Sequence, residues 1–232
     1  MQPVFNGFAD REQLVSALAD RICFLLTEDI RQQGRAVMAV SGGSTPPPLF
    51  RELSAREVDW AAVTVTLVDE RWVTPDDPAS NEGLVRANLL RSRAAAARFV
   101  PLYSGGSAAG TGEGECERVL AGLGLPFTVV ILGMGGDGHT ASLFPGAAGL
   151  DRAVAMDSGR HCLALTPPGA SCERMTLTLP VILASREIIL HIHGDGKRKV
   201  YHQALANGPA EEMPIRYVLR QERTPVQVFW AP

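Results

Sequence analysis

Ala36-Val37-Met38-Ala39-Val40 runs apolar without a break between Gly34 and the segment Ser41-Gly42-Gly43-Ser44-Thr45-Pro46. A strand with one wet face alternates polar and apolar positions, so an unbroken apolar run of this length suits a strand covered on both faces. Such strands belong to parallel sheets, whose crossover connections lay helices against each side. The residues before the run agree: Asp10 caps, Gln13 completes a capping box, and Val15, Leu18, Ile22, Leu25 and Asp29 or Ile30 keep helical spacing until Gly34. Downstream the alternation recurs. Strand patterns cover 63–68, 127–132, 161–165, 175–179, 187–193 and 226–230; helical patterns surround Leu49, Phe50 and Leu53 and cover 81–90 and about 197–205. The pattern predicts an α/β fold of three layers with a mostly parallel sheet, as a single domain over residues 1–232.

Composition narrows the function. With 232 residues, 46% of them apolar and 20% charged, the chain can bury a sizeable core without metal or disulfide support. Lys and Arg number 22 against 25 Asp and Glu, a formal charge of −3 that attracts neither nucleic acid nor an anionic membrane over the whole surface. Any anion must be held by a local site. Residues 1–10 lack the apolar stretch of a signal peptide and no apolar run approaches about 18 residues, which predicts a cytoplasmic protein. Cys23, Cys116, Cys162 and Cys172 are irregularly spaced and are expected as reduced, mostly buried thiols. The Gly/Ser/Ala-rich piece 104–114 reads as a surface loop.

Parallel α/β sheets bind ligands beyond the carboxyl ends of their strands. Four loops in that position carry unusual residues. The first, 41–48, has Gly42 and Gly43 to turn backbone N–H groups toward one point, the Ser44 and Thr45 hydroxyls, and a helix amino terminus: an anion site, or equally a tight turn with Ser44 or Thr45 as N-cap. No Lys follows the glycines, which excludes a nucleotide P-loop. The second, 69–75, sets Asp69, Glu70 and Arg71 at a strand end, where they either form an internal ion pair or face a ligand, with Arg71 holding an oxyanion or hydroxyl.

The third, 133–146, contains Gly133, Gly135 and Gly138 in dinucleotide-fingerprint spacing, yet Pro145 and Gly146 stop any helix after about one turn, so the fingerprint is rejected. What remains presents Asp137 and His139, a carboxylate able to fix the tautomer of an imidazole that acts as a general base on water. In the fourth, 194–197, Lys197 stands at a helix amino terminus, unfavourable unless an anion is shared. Arg174, beside a strand pattern, is a further cation. His191 and His193 share a strand face without a third ligand of matching character and are expected as packing or loop residues. No G-x-S-x-G nucleophile elbow exists, so direct water attack on a phosphate-tethered substrate is the favoured chemistry.

Ser41 to Pro46, Val68-Asp69-Glu70-Arg71-Trp72-Val73, Ser80-Asn81-Glu82, the block from Leu132 to Gly146, and Arg174-Met175-Thr176-Leu177-Thr178 occur in one order along the chain. Together they resemble the 6-phosphogluconolactonase family of the oxidative pentose phosphate pathway, over essentially the whole sequence. The resemblance implies a Rossmann-like α/β domain and hydrolysis of 6-phospho-D-glucono-1,5-lactone to 6-phosphogluconate, without metal or cofactor, by a monomer or weak homodimer. It implies that His139 activates water, Arg71 stabilises the developing charge or orients the ring, and Asp137 positions His139. Gly42, Gly43, Ser44, Thr45, Asp69, Asn81, Arg174 and Lys197 are the implied substrate and phosphate contacts. The nearest rival, a glucosamine-6-phosphate deaminase/isomerase, carries Asn-Glu-Pro after its Asp-Gly-His; here Phe144 precedes Pro145 and relays no proton. A non-catalytic sugar-phosphate-binding regulator would need neither His139 nor Arg71.

Overall fold

The first long helix starts where the Asp10 carboxylate accepts from the Gln13 amide at 2.8 Å and stops where Gly34 turns left-handed at φ 71°. The computed structural model describes residues 2–170 and 172–232. Along the chain, β1 (Val4–Gly7), α1 (Arg11–Gln33), β2 (Ala36–Val40), α2 (Pro47–Ala55), β3 (Val63–Leu67) and β4 (Asp69–Arg71) come first. Next are α3 (Asn81–Asn88), β5 (Arg98–Val100), α4 (Ala109–Ala121), β6 (Phe127–Leu132) and α5 (Leu150–Val154). The remainder is β7 (Cys162–Leu165), β8 (Arg174–Leu177), α6 (Leu179–Leu183), β9 (Ser185–His193), α7 (Asp195–Leu205), α8 (Ile215–Leu219) and β10 (Val226–Ala231).

Seven strands form a sheet in the order β1-β10-β9-β6-β2-β3-β5, every neighbouring pair parallel. Helices flank it, as the unbroken apolar strands require: every residue of β2 and β6 is buried. The chain winds outward from β2 through β3 to β5, then returns to lay β6 on the other side of β2, with Val40 in register with both Leu67 and Ile131. That reversal between β2 and β6 opens a crevice at their carboxyl ends. The four loops singled out in the sequence leave β2, β3, β6 and β9, which are four consecutive neighbours in the sheet. Among the described residues no helix is long and apolar enough to cross a membrane. All four cysteines are free, with Cys116 and Cys162 buried.

Two expectations change. The strand patterns at 161–165 and 175–179 do not extend the parallel sheet; as β7 and β8 they join β4 in a separate antiparallel sheet of order β4-β8-β7, with Arg71 opposite Arg174. The second loop is therefore in part a strand, concealed in the sequence by its three consecutive charges. The stretch 104–114 is also only partly a loop, because α4 begins at Ala109. One of its glycines answers to packing: a Cβ on Gly112 would stand 2.2 Å from the Trp72 ring. The polar face of α4 then covers the outer edge of β7. Glu113 accepts from the Ala164 amide at 2.9 Å, and Glu117 accepts from the amides of His161 and Cys162 at 2.9 and 3.2 Å.

Candidate active site

At the crevice lies a cavity of about 440 Å³, lined by the first loop, Asp69, Arg71, Asn81, the glycine-rich third loop, Arg174 and Lys197. Ten of the eleven residues singled out as candidates face it; Asp137 stands behind His139. Ser41 joins the two central loops, its hydroxyl donating to the Ile131 carbonyl at 2.9 Å and accepting from the Gly133 amide at 3.1 Å. Neither Ser44 nor Thr45 caps α2: Pro46 occupies the N-cap and no side chain bonds there. The N-cap reading of this loop fails, and Thr45 instead sets its hydroxyl 3.4 Å from Nδ1 of His193.

Arg71 makes no ion pair among the described residues. Its guanidinium donates to the Ala79 carbonyl at 3.1 Å and to Oδ1 of Asn81. The internal-ion-pair reading fails because Glu70 is engaged elsewhere. Fully buried, Glu70 accepts from the amides of Arg71, Asn81 and Glu82, each at 2.7 Å, and from the Ser80 hydroxyl at 3.1 Å. Burial raises its pKa against those four bonds. Glu70 thus ties the amino end of α3 to β4 and holds Asn81 where it meets Arg71. The Asn81 amide donates to the Asp69 carbonyl at 2.8 Å, and Ser142 donates to the Asp69 carboxylate at 2.7 Å.

The third loop is tethered at several points. Thr140 donates its hydroxyl to the Gly133 carbonyl at 2.8 Å, the Gly135 amide donates to the His139 carbonyl at 2.8 Å, and Ile215 of α8 donates to the Gly138 carbonyl at 2.8 Å. No helix forms between this strand end and α5, consistent with rejecting the dinucleotide fingerprint. Held in this loop, Nδ1 of His139 lies 2.6 Å from Oδ1 of Asp137, which also accepts the His139 amide at 3.1 Å. Burial pushes the Asp137 pKa up, but the His139 amide and ring outweigh it and leave it below the ordinary value. A charged carboxylate on Nδ1 selects the tautomer whose lone pair is on Nε2.

The cavity is electrically crowded with cations. Burial lowers the Arg174 pKa and the charge of Arg71 lowers it further; burial also lowers that of Lys197, which Asp137 partly offsets. Both Arg71 and Arg174 bury an Nε–H that finds no hydrogen-bond partner among the described residues. A buried unpaired donor costs roughly 1–3 kcal/mol, so an oxygen-rich anion between these groups satisfies the donors and relieves the repulsion.

His191 is buried, as a packing residue is, and His193 is half-buried at the end of β9; both rings also line the cavity, which the packing-or-loop reading does not include. Burial lowers the His191 pKa to about 3, with His193 contributing. Above the unfolded-state value of about 6.5 both states carry a neutral ring; below it the unfolded chain gains a proton that the folded one refuses down to about 3. Stability should therefore fall by roughly 1.4 kcal/mol per pH unit from this group as the solution is acidified through that window. Denaturant unfolding at pH 7, 6 and 5 checks this, since His191→Leu should lose that part of the slope; equal slopes in both proteins would contradict it.

Residues 9–230 match the family described as glucosamine-6-phosphate isomerases/6-phosphogluconolactonase. A 6-phosphogluconolactonase of Rhizobium meliloti is 46% identical over 97% of each chain. One of Mesorhizobium japonicum is 48% identical over 98% of this chain and 95% of its own. Among solved structures, a 6-phosphogluconolactonase from Shewanella baltica superposes with a TM-score of 0.97 at 44% identity, covering 100% of this chain and 98% of that one.

Proposed function

The chain belongs to the glucosamine-6-phosphate isomerase/6-phosphogluconolactonase family, and from that membership we propose that it hydrolyses 6-phospho-D-glucono-1,5-lactone to 6-phospho-D-gluconate. The observation that carries the mechanism is the Asp137–His139 pair at 2.6 Å, placed so that His139 faces the same cavity as Arg71, Arg174 and Lys197. In the oxidative pentose phosphate pathway this is a carboxylic ester hydrolysis that follows oxidation of glucose 6-phosphate. The substrate is a small sugar-phosphate lactone, and the acceptor is water.

With Nδ1–H held by Asp137, the Nε2 lone pair of His139 takes a proton from water while the water oxygen bonds to the lactone carbonyl carbon. Arg71 stabilises the oxyanion that forms or orients the ring, a charge-assisted role that gains strength as the substrate displaces solvent from the cavity. Cleavage of the bond between the carbonyl carbon and the ring oxygen follows, and the imidazolium returns its proton to that oxygen as it becomes a hydroxyl. The carboxylic acid product then ionises and releases one proton to solvent. The first loop, with Gly42, Gly43, Ser44 and Thr45, joins Arg174 and Lys197 in holding the phosphate, while Asp69 and Asn81 complete the substrate wall.

A coupled assay that generates the lactone from glucose 6-phosphate tests the reading, because acid release with the protein must exceed spontaneous opening. Absence of acceleration, with ammonia released from glucosamine 6-phosphate instead, would transfer the chain to the isomerase branch. Lys197→Ala is expected to weaken inhibition by 6-phosphogluconate about 10- to 150-fold, the value of one charge-assisted phosphate bond of roughly 1.5–3 kcal/mol. Inhibition equal to that of the unaltered protein would remove Lys197 from the phosphate site.

A further inference from the structure

The face of the Phe144 ring lies on the His139 imidazole, with ring centroids 4.0 Å apart and planes inclined by 26°. The Arg174 guanidinium carbon lies 6.0 Å from the centre of the same ring. One aromatic side chain therefore touches the base and stands beside a cation of the phosphate set. It is also the residue that precedes Pro145, the position at which the sequence departs from the ring-opening pattern. We infer that Phe144 is a positioning residue for His139, holding the plane of the imidazole and favouring its protonated form during the reaction. The inference rests on His139 being the general base.

An aromatic face carries negative quadrupole density and attracts a cation stacked on it. The imidazolium that forms when His139 takes the proton from water is held against that face without a competing proton acceptor, whereas a carboxylate in the same place would take or relay the proton itself. Asp137 at Nδ1 acts in the same direction. Against them stand the cations Arg71, Arg174 and Lys197, which repel an imidazolium; His191 and His193 also border the cavity as rings whose burial disfavours their charged form, and Asp69 opposes the cations. Amid so many positive groups, the ring offers attraction without adding a formal charge that would repel a phosphorylated substrate.

The test compares Phe144→Leu, which keeps an apolar side chain of similar reach, with Phe144→Tyr, which keeps the π face. In the Leu variant the midpoint of the His139 ring titration, followed by NMR and assigned with His139→Ala, should fall by about half a pH unit. The acidic limb of kcat/KM should move to lower pH by the same amount, and kcat should drop about 3- to 10-fold with KM changed less. The Tyr variant should restore both the titration and the limb. A folded Leu variant with an unmoved His139 titration overturns the inference, as does a Tyr variant that titrates like Leu. The NMR readout does not depend on turnover, so failure of this inference is distinguishable from failure of the lactonase reading, which the unaltered protein's assay decides.

Discussion

Replacing His139 with alanine should lower kcat by about 10²- to 10⁴-fold, the usual contribution of a positioned general base, while KM stays within a few fold. The asymmetry follows from the site. In the proposed site Arg71, Arg174, Lys197 and the first loop hold the phosphate and ring independently of the imidazole, so ground-state binding should survive and only proton removal from water should be lost. Stopped-flow or pH-stat measurement above the spontaneous rate reads both parameters. Near-unaltered kcat would remove His139 from the mechanism, and a large rise in KM with kcat intact would make it a binding residue.

Gly135→Ala should be nearly as damaging although glycine brings no side chain to the chemistry. A Cβ at Gly135 would stand 2.1 Å from Nδ1 of His139 and 2.5 Å from Oδ1 of Asp137. Real carbon atoms do not approach so closely, and the cheapest relief is to part the two side chains. Parting them frees the imidazole to rotate and removes the carboxylate that fixes its tautomer, and a misplacement of about 1 Å can cost roughly 10²-fold in rate. The expected result is a kcat loss of about 10²- to 10³-fold with an unfolding midpoint close to that of the unaltered protein. A variant that keeps full activity would show that the pair tolerates separation, and one that fails to fold would show that the loop itself gives way first.

The legibility of the chain follows burial. β2 and β6 are readable to the residue because strands covered on both faces have nowhere to place a polar side chain. The loops leaving them are readable because glycine clusters at strand ends have few uses, and Asp137 with His139 stood out for that reason. β4 is hidden because Asp69, Glu70 and Arg71 show no apolar alternation; what makes it a strand is pairing with β8, more than a hundred residues away. The supporting role of Glu70 is not legible in sequence because its partners Asn81 and Glu82 lie eleven and twelve residues on, and only folding brings both amides to one carboxylate. Period-two spacing placed His191 and His193 on one face, yet whether that face meets packing or a cavity depends on how β9 lies beside β6. For α4, Gly110, Gly112 and Gly114 suggest a loop; the structure accounts for Gly112, where the Trp72 ring leaves no room for a side chain.

The carboxylates that α4 extends to β7 have a consequence for how copies of this chain meet. An uncovered strand edge is an open template on which another molecule can add a strand. Here the outward amides of β7 are already taken by Glu113 and Glu117, side chains that mimic a neighbouring backbone without offering an amide of their own in return. The edge is thus closed to further growth by an ionic cover instead of by another strand. Burial pushes the Glu117 pKa up, but the His161 ring and the amides of His161 and Cys162 outweigh burial and leave it below the ordinary value, so Glu117's part of the cover persists through mild acid.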